Sequence, residues 1–303
     1  MNNRLALLGG ILVVQLLLVA FVLVGGADES SAGTSLLDLD AATVDEFVIE
    51  GEGESITLTR TDGGWSAAGW PADGAKADEL LQAFADMKAP WPVATTATSA
   101  ERFEVTADSF QRRIVFRSSG NALATVYLGT SPGFQRVHAS TDGTDDVFAI
   151  PFSNFKAPTG IDDWLDKSLL ATNGAVQSVV SSRGWTLARG EEGWLLDGAA
   201  ADQDAGDTYA ERYESLRVLS VQNALPDGAA EAGTLDVVDG EGMVTYTLSH
   251  HEPEDDYYIG TSRREGVFEI ATYIAEQLLT DRDSLAPAVV GEASEEETPD
   301  GSS

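Results

Sequence analysis

The stretch Tyr127–Ser131 reads YLGTS, and it returns almost unchanged as YIGTS at Tyr258–Ser262. Five residues can coincide, so their surroundings decide whether the chain is one large domain or two related ones. Upstream of the first copy, the alternating runs VDEFVIEG (44–51) and SITLTRT (55–61) flank a Gly-containing turn and lead through Gly63-Gly64 to Trp65. Upstream of the second, VQSVVSS (176–182) and WTLARG (185–190) flank Arg183-Gly184 and lead through Gly193 to Trp194. Alternation with a period of two, broken by Gly, is the pattern of a β-hairpin.

Each Trp precedes a polar stretch and a helical pattern. In the first, Asp73 or Asp78 can cap, and Leu80, Leu81, Phe84 and Met87 recur at helix spacing. In the second, Asp207 can cap, and Tyr209, Tyr213 and Leu216 keep the stripe. Further alternating runs, RRIVFRSS (112–119) and MVTYTLS (243–249), feed YLGTS and YIGTS. Final strands follow as VFAI (147–150) and VFEI (267–270), and the copies close with DWLDKSLL (163–170) and LLTDRDSL (278–285). FQRVHAS (134–140) reads as an extra strand that SRREG (262–266) lacks. This order predicts a tandem duplication over 36–170 and 173–287. Each copy is expected to be α+β, a mostly antiparallel twisted sheet with one principal helix packed on it.

Residues 5–24, LALLGGILVVQLLLVAFVLV, hold Gln15 as their one strongly polar side chain. As a helix they would span about 30 Å, the thickness of a bilayer's hydrocarbon core. Arg4 before the run and Asp28 and Glu29 after it predict a short cytoplasmic N-terminus (1–4) and an extracytoplasmic bulk. Gly25-Gly26-Ala27 offers a signal-peptide cleavage site, but the run exceeds the usual ~7–15-residue apolar core, which favours an uncleaved single-pass anchor in the cell membrane. Residues 25–35 read as a flexible stalk and 288–303 as an acidic disordered tail.

Fifty acidic residues against 18 basic ones leave a net charge of −32. Such a surface repels phosphate backbones and anionic headgroups, which excludes nucleic acid as a partner. Two readings of the charge stay open, a salt-rich habitat that screens it or an acidic extracytoplasmic protein in ordinary medium. With no cysteine, disulfides, thiolate nucleophiles and Cys-ligated metals are out.

General-base chemistry has three histidines to draw on, His138, His250 and His251. The last two are adjacent on a strand run and so point to opposite faces, poorly placed to share a metal. DQDAGD (202–207) begins like a calcium loop but has Asp207 where Gly is needed and Tyr213 where Glu is needed. No phosphate-binding Gly motif and no G-x-S-x-G motif occurs. The sequence therefore nominates no catalytic residue, metal or cofactor. Trp65 and Trp194 read as core. Trp70 and Trp91, each beside a proline, are the candidate partner-contact residues.

The anchor, the opening LLDLDAATVDEFVIEG (36–51), the Gly-Gly-Trp hairpin end, the acidic-capped ADELLQAFADMKA (77–89), the Leu-Gly-Thr-Ser strand end and the DWLDKSLL close together resemble the family known as domain of unknown function 4340. The resemblance is strong in the first copy and loose in the second. It implies an auxiliary extracytoplasmic part of an ABC-type transport system and supplies no catalytic residues. The expected function is a non-enzymatic auxiliary or scaffold subunit of a membrane complex, with an ABC permease as a partner. The alternatives are a solute- or polymer-binding module using a cleft between the repeats and, behind it, an extracytoplasmic hydrolase.

Overall fold

The run Glu46–Glu50 (β1) buries Phe47, Val48 and Ile49 in succession, which suits a strand covered on both edges and facing a core. In the computed structural model it sits between β2 (Ser55–Thr61) and β7 (Arg112–Ser118), antiparallel to both. The structure describes residues 34–287. The apolar run 5–24, nearly all of 25–35 and the tail 288–303 lie outside the described residues. Among the described residues no helix is long and apolar enough to cross a membrane. The chain divides into two compact units between Trp164 and Leu165, inside DWLDKSLL.

In the first unit β3 (Gly64–Ala67) and β4 (Trp70–Pro71) extend the sheet beyond β2, and β8 (Asn121–Leu128), β9 (Val137–Thr141) and β10 (Phe148–Ile150) extend it beyond β7. The order is β10-β9-β8-β7-β1-β2-β3-β4, with every pair antiparallel. Register sets the two faces. Phe47, Ile49, Ile114 and Phe116 face inward, whereas Glu46 and Glu50 meet Arg117 and Arg113 across the β1–β7 pair on the other face. Helix α1 (Gly74–Ala85) lays Ala77, Leu80, Leu81 and Phe84 on the inner face, one stripe at helix spacing. Asp73 caps it by accepting from Lys76 N at 3.0 Å. A short helix α2 (Ala97–Arg102) and a small hairpin of β5 (Val105–Thr106) and β6 (Ser109–Phe110) complete the unit. Trp164 belongs to this core, its ring 6.0 Å from that of Phe47 and its Nε1 donating to Pro158 O.

The second unit contains β11 (Ser178–Ser181), β12 (Trp185–Gly190), β13 (Gly193–Leu196), β14 (Ala199–Ala200), α3 (Gln203–Glu214), β15 (Ser220–Gln222), β16 (Ala230–Asp239), β17 (Gly242–His251), β18 (Asp256–Thr261), β19 (Arg264–Ile270) and α4 (Thr272–Leu278). Its sheet order is β14-β13-β12-β11-β16-β17-β18-β19-β15, again antiparallel throughout. Its core is built on tyrosine. Tyr209 OH donates to Leu278 O at 2.7 Å and meets Tyr213 OH at 2.8 Å, while Tyr246 OH donates to Leu170 O at 2.8 Å. Each buried hydroxyl thus has the partner that burial demands. The architecture is α+β, sheet-rich and mostly antiparallel, with few helices.

Two local expectations are corrected. The cap of α3 is Asp202, which accepts from Ala205 N at 3.0 Å, and Asp207 lies a turn inside the helix. YLGTS and YIGTS also do not occupy matching sheet positions. Counted from β1 and β11, YLGTS lies at the end of β8, two strands out, whereas YIGTS lies in β18, three strands out, because β16 stands between β11 and the MVTYTLS strand β17. VFAI (β10) and VFEI (β19) both lie four strands out, and β15 adds a further edge strand beyond β19. Alternation marks a strand and leaves its neighbours undetermined.

Candidate functional site

Asp78 and Asp207 have a role that capping logic missed. Asp78 Oδ1 accepts from Trp65 Nε1 at 2.8 Å and from Arg60 at 3.0 Å, and the Arg60 guanidinium lies 4.5 Å over the Trp65 ring. In the second unit Asp207 Oδ1 accepts from Trp194 Nε1 at 2.8 Å and from Arg189 at 3.0 Å, with Arg189 4.4 Å over Trp194. Both Trp rings are buried, so an indole N–H without an acceptor would be costly. Each set ties the principal helix to the hairpin before it. These are fold-building contacts, and their groups are already committed to one another.

A cleft at one end of the first sheet is different in kind. It has a volume of about 620 Å³ and is walled by the start of β7 (Gln111, Arg112), the β8–β9 connection (Ser131, Gly133–Val137) and the segment after β10 (Ser153–Phe155). Antiparallel order brings these three pieces together, since β7 begins where β8 ends, β9 begins and β10 ends. Ser131 Oγ lies 2.7 Å from both Gly133 O and Arg136 O and closes the connection into a firm loop. Asn154 Nδ2 donates to Gln111 Oε1 at 2.8 Å and to Gly129 O at 3.1 Å, which fixes the floor. Its buried Oδ1 has no hydrogen-bond partner among the described residues. Arg112 is held by Ala157 O and Gln111 O, and Arg136 reaches Ala149 O at 3.3 Å.

The rim carries Phe134 and Phe155, 90% and 94% exposed. No carboxylate is among the lining residues, although acids outnumber bases 50 to 18 in the chain. The arrangement offers two aromatic faces, two guanidiniums and a floor of amides. It can hold a carboxylate-bearing ligand with apolar parts, by charge, stacking and hydrogen bonds together.

The sequence candidates fall elsewhere. Trp70 is half-buried in β4, and Trp91 is 86% exposed in the segment after α1; neither lines the cleft. Trp65 and Trp194 are buried. His138 lies in β9 with Nδ1 2.9 Å from Thr130 Oγ1 and its ring 4.1 Å from that of Phe103. Burial, with the Arg102 charge adding to it, pushes its pKa below the ordinary imidazole value. His250 stacks on Tyr257 and meets Asp255 Oδ1 at 2.9 Å, while His251 Nδ1 is 3.6 Å from Glu254. Among the described residues no group of three His, Asp or Glu side chains is placed to hold a metal ion.

Phe134 and Phe155 escaped the signal that singled out Trp91, because neither is adjacent to a proline. Phe134 follows Pro132-Gly133 and Phe155 precedes Lys156-Ala157-Pro158. The arginines and amides gave no such signal, being ordinary surface residue types.

Searches of curated proteins and of solved structures find no match to this chain. A family profile described as "Domain of unknown function (DUF4340)" matches residues 65–237, from the Trp65 of the first unit into β16 of the second. That is more than half of the chain, and the protein is therefore a member of the DUF4340 family.

Proposed function

We propose that the protein is a non-enzymatic extracytoplasmic subunit of a membrane complex, anchored through residues 5–24, that holds a partner segment in the cleft of its first unit. The observation that carries this reading is the acid-free, aromatic-rimmed cleft in a chain of net charge −32. A surface that repels most anions and offers two arginines in one concavity is suited to a single docking partner. The occupant is an acidic peptide segment of a partner protein, its carboxylates on Arg112 and Arg136 and an apolar side chain on Phe134 or Phe155. The resemblance noted above points to an ABC-type exporter as the complex.

We also read the two units as a duplicated domain. Supporting this are the matching core of both sheet orders and the Arg–Trp–Asp sets with the same spacing, 60, 65 and 78 against 189, 194 and 207. In the second unit the connection at the sheet position of the Pro132–Gln135 loop is Glu252–Asp255, short and with three acids among its four residues, so partner binding falls to the first.

The test is site-specific photo-crosslinking in native membranes from position 134 or 155. A crosslink to an ABC permease, reduced by Arg112→Glu with Arg136→Glu, supports the reading. Efficient crosslinking from other surface positions but none from these refutes it. A second reading, binding of an acidic polysaccharide, is favoured by the amide and hydroxyl lining of Gln111, Ser131, Ser153 and Asn154. Saturable binding of such a polymer to the isolated protein, lost in the same double variant, would select it.

A further inference from the structure

Trp91 is not part of the cleft, and its place in the fold suggests another role. After α1 ends, the chain pairs with the first described residues. Leu36 N donates to Met87 O at 2.7 Å, Ala89 N donates to Thr34 O at 3.0 Å, and Lys88 Nζ reaches Ser35 Oγ at 3.3 Å. Just beyond, Val93 N donates to Val147 O at 2.7 Å and Val147 N donates to Ala94 O at 2.8 Å. The segment Pro90-Trp91-Pro92 is therefore bonded down on both sides, and its two prolines restrict the backbone further. It presents Trp91, 86% exposed, and Val93, 54% exposed, next to the exposed Lys88. With its backbone held, Trp91 has little backbone entropy left to lose on contact.

What lies beside this turn is the incoming chain. Only nine residues, Gly25–Gly33, separate the apolar run 5–24 from Thr34. At ~3.3 Å each they reach at most about 30 Å, and Trp91 is two residues from the Ala89 that bonds Thr34. Trp91 is thus tethered close to the point where the chain would leave a bilayer. Tryptophan is enriched at that boundary because its ring is apolar and its N–H is polar, and a lysine nearby can extend its ammonium to the phosphates. Tethering raises the effective concentration of the turn at the surface, so that one aromatic residue suffices where a free protein would need several.

We infer that the Lys88–Val93 turn docks on the headgroup–acyl boundary of the phospholipid membrane that carries the anchor, and so sets the orientation of the first unit over it. The inference rests on the anchor reading above. The acidic surface restricts the contact to this turn and favours zwitterionic lipid.

The chain has no cysteine, so single-cysteine nitroxide labelling of the full-length protein reads the site directly. Val93→Cys and, as a surface reference, Asp62→Cys in the β2–β3 turn are reconstituted into phosphatidylcholine nanodiscs. Collision with oxygen is then compared with collision with a water-soluble nickel chelate. The expected result is an oxygen-to-nickel ratio shifted towards lipid at position 93, returned to the position 62 level by Trp91→Ser. Protein that stays in the membrane after alkaline washing, with position 93 as open to nickel as position 62, overturns the inference and leaves the anchor standing. A label shielded from both reagents also overturns it, in favour of a protein contact. Protein released by the wash refutes the anchor and the inference with it.

Discussion

The glycines of YLGTS and YIGTS make a test in which one motif supplies its own control. A Cβ built on Gly129 would lie 1.9 Å from Phe103 O, 2.4 Å from Glu104 O and 2.8 Å from Glu104 C. All three are backbone atoms, so no side chain can swing aside. Ordinary contact for a Cβ begins near 3.4 Å, so strand and loop must part by about 1.5 Å (3.4 − 1.9). That separation endangers the Thr130 N to Phe103 O bond at 3.0 Å and the Asn154 Nδ2 bond to Gly129 O at 3.1 Å. Overpacking costs ~1–3 kcal/mol and each lost hydrogen bond ~0.5–1.5 kcal/mol, so Gly129→Ala should destabilise the first unit by about 3–4 kcal/mol. At Gly260 the nearest neighbour of a Cβ would be Gly266 O at 3.7 Å, and Gly260→Ala should change stability by less than about 1 kcal/mol. Hydrogen exchange resolved by unit is the assay. At about 1.4 kcal/mol per tenfold, Gly129→Ala should speed exchange of the most protected first-unit amides by two to three orders of magnitude, leaving the second unit unchanged. Equal effects of the two substitutions would refute the claim that only YLGTS needs its glycine for packing.

Further outcomes follow from the charged and aromatic contacts. Asp239, its side chain 0% exposed, accepts from both terminal nitrogens of Arg263 at 2.6 Å and from Asn173 N and Glu241 N, so Asp239→Ala should lower second-unit stability by about 3 kcal/mol in urea unfolding. The Arg263 bonds hold this carboxyl below the usual range, with the two backbone donors helping against burial, so its contribution is complete above the unfolded-state pKa and lost as pH falls further. The wild-type advantage should therefore be constant above about pH 5 and shrink below about pH 4, and an advantage unchanged down to pH 2 would contradict this. Asp78→Ala and Asp207→Ala, which strand a buried indole N–H, should each cost about 2 kcal/mol, while Arg60→Ala and Arg189→Ala, which remove half-exposed partners, should cost under about 1 kcal/mol by the same unfolding measurement. Self-repulsion at a net charge of −32 should make the melting temperature of a protein comprising residues 34–303 rise from low to molar salt, and an unchanged value would remove the salt-rich-habitat reading.

Read alone, the sequence determined the α+β class, the hairpins leading to Trp65 and Trp194, the α1 stripe of Leu80, Leu81 and Phe84, and the burial of both tryptophans. These are local properties, set by periods of two and 3.6 residues and by Gly at turns, and neighbours in the chain suffice to write them. Which aspartate caps α3 was not legible: the pattern pointed to Asp207, and the structure has Asp202 in that place. The choice depends on the Trp194 N–H, thirteen residues from Asp207, which claims that carboxylate. The sheet positions of YLGTS and YIGTS were likewise a matter of pairing across long separations. The cleft lies furthest from sequence reading. Its walls come from positions 111–112, 131–137 and 153–155, and only the antiparallel order of β7, β8, β9 and β10 stacks those chain ends at one edge. Arginine and asparagine carry no mark of concavity by themselves, and tertiary structure alone decides which of them share a hollow and which face open water.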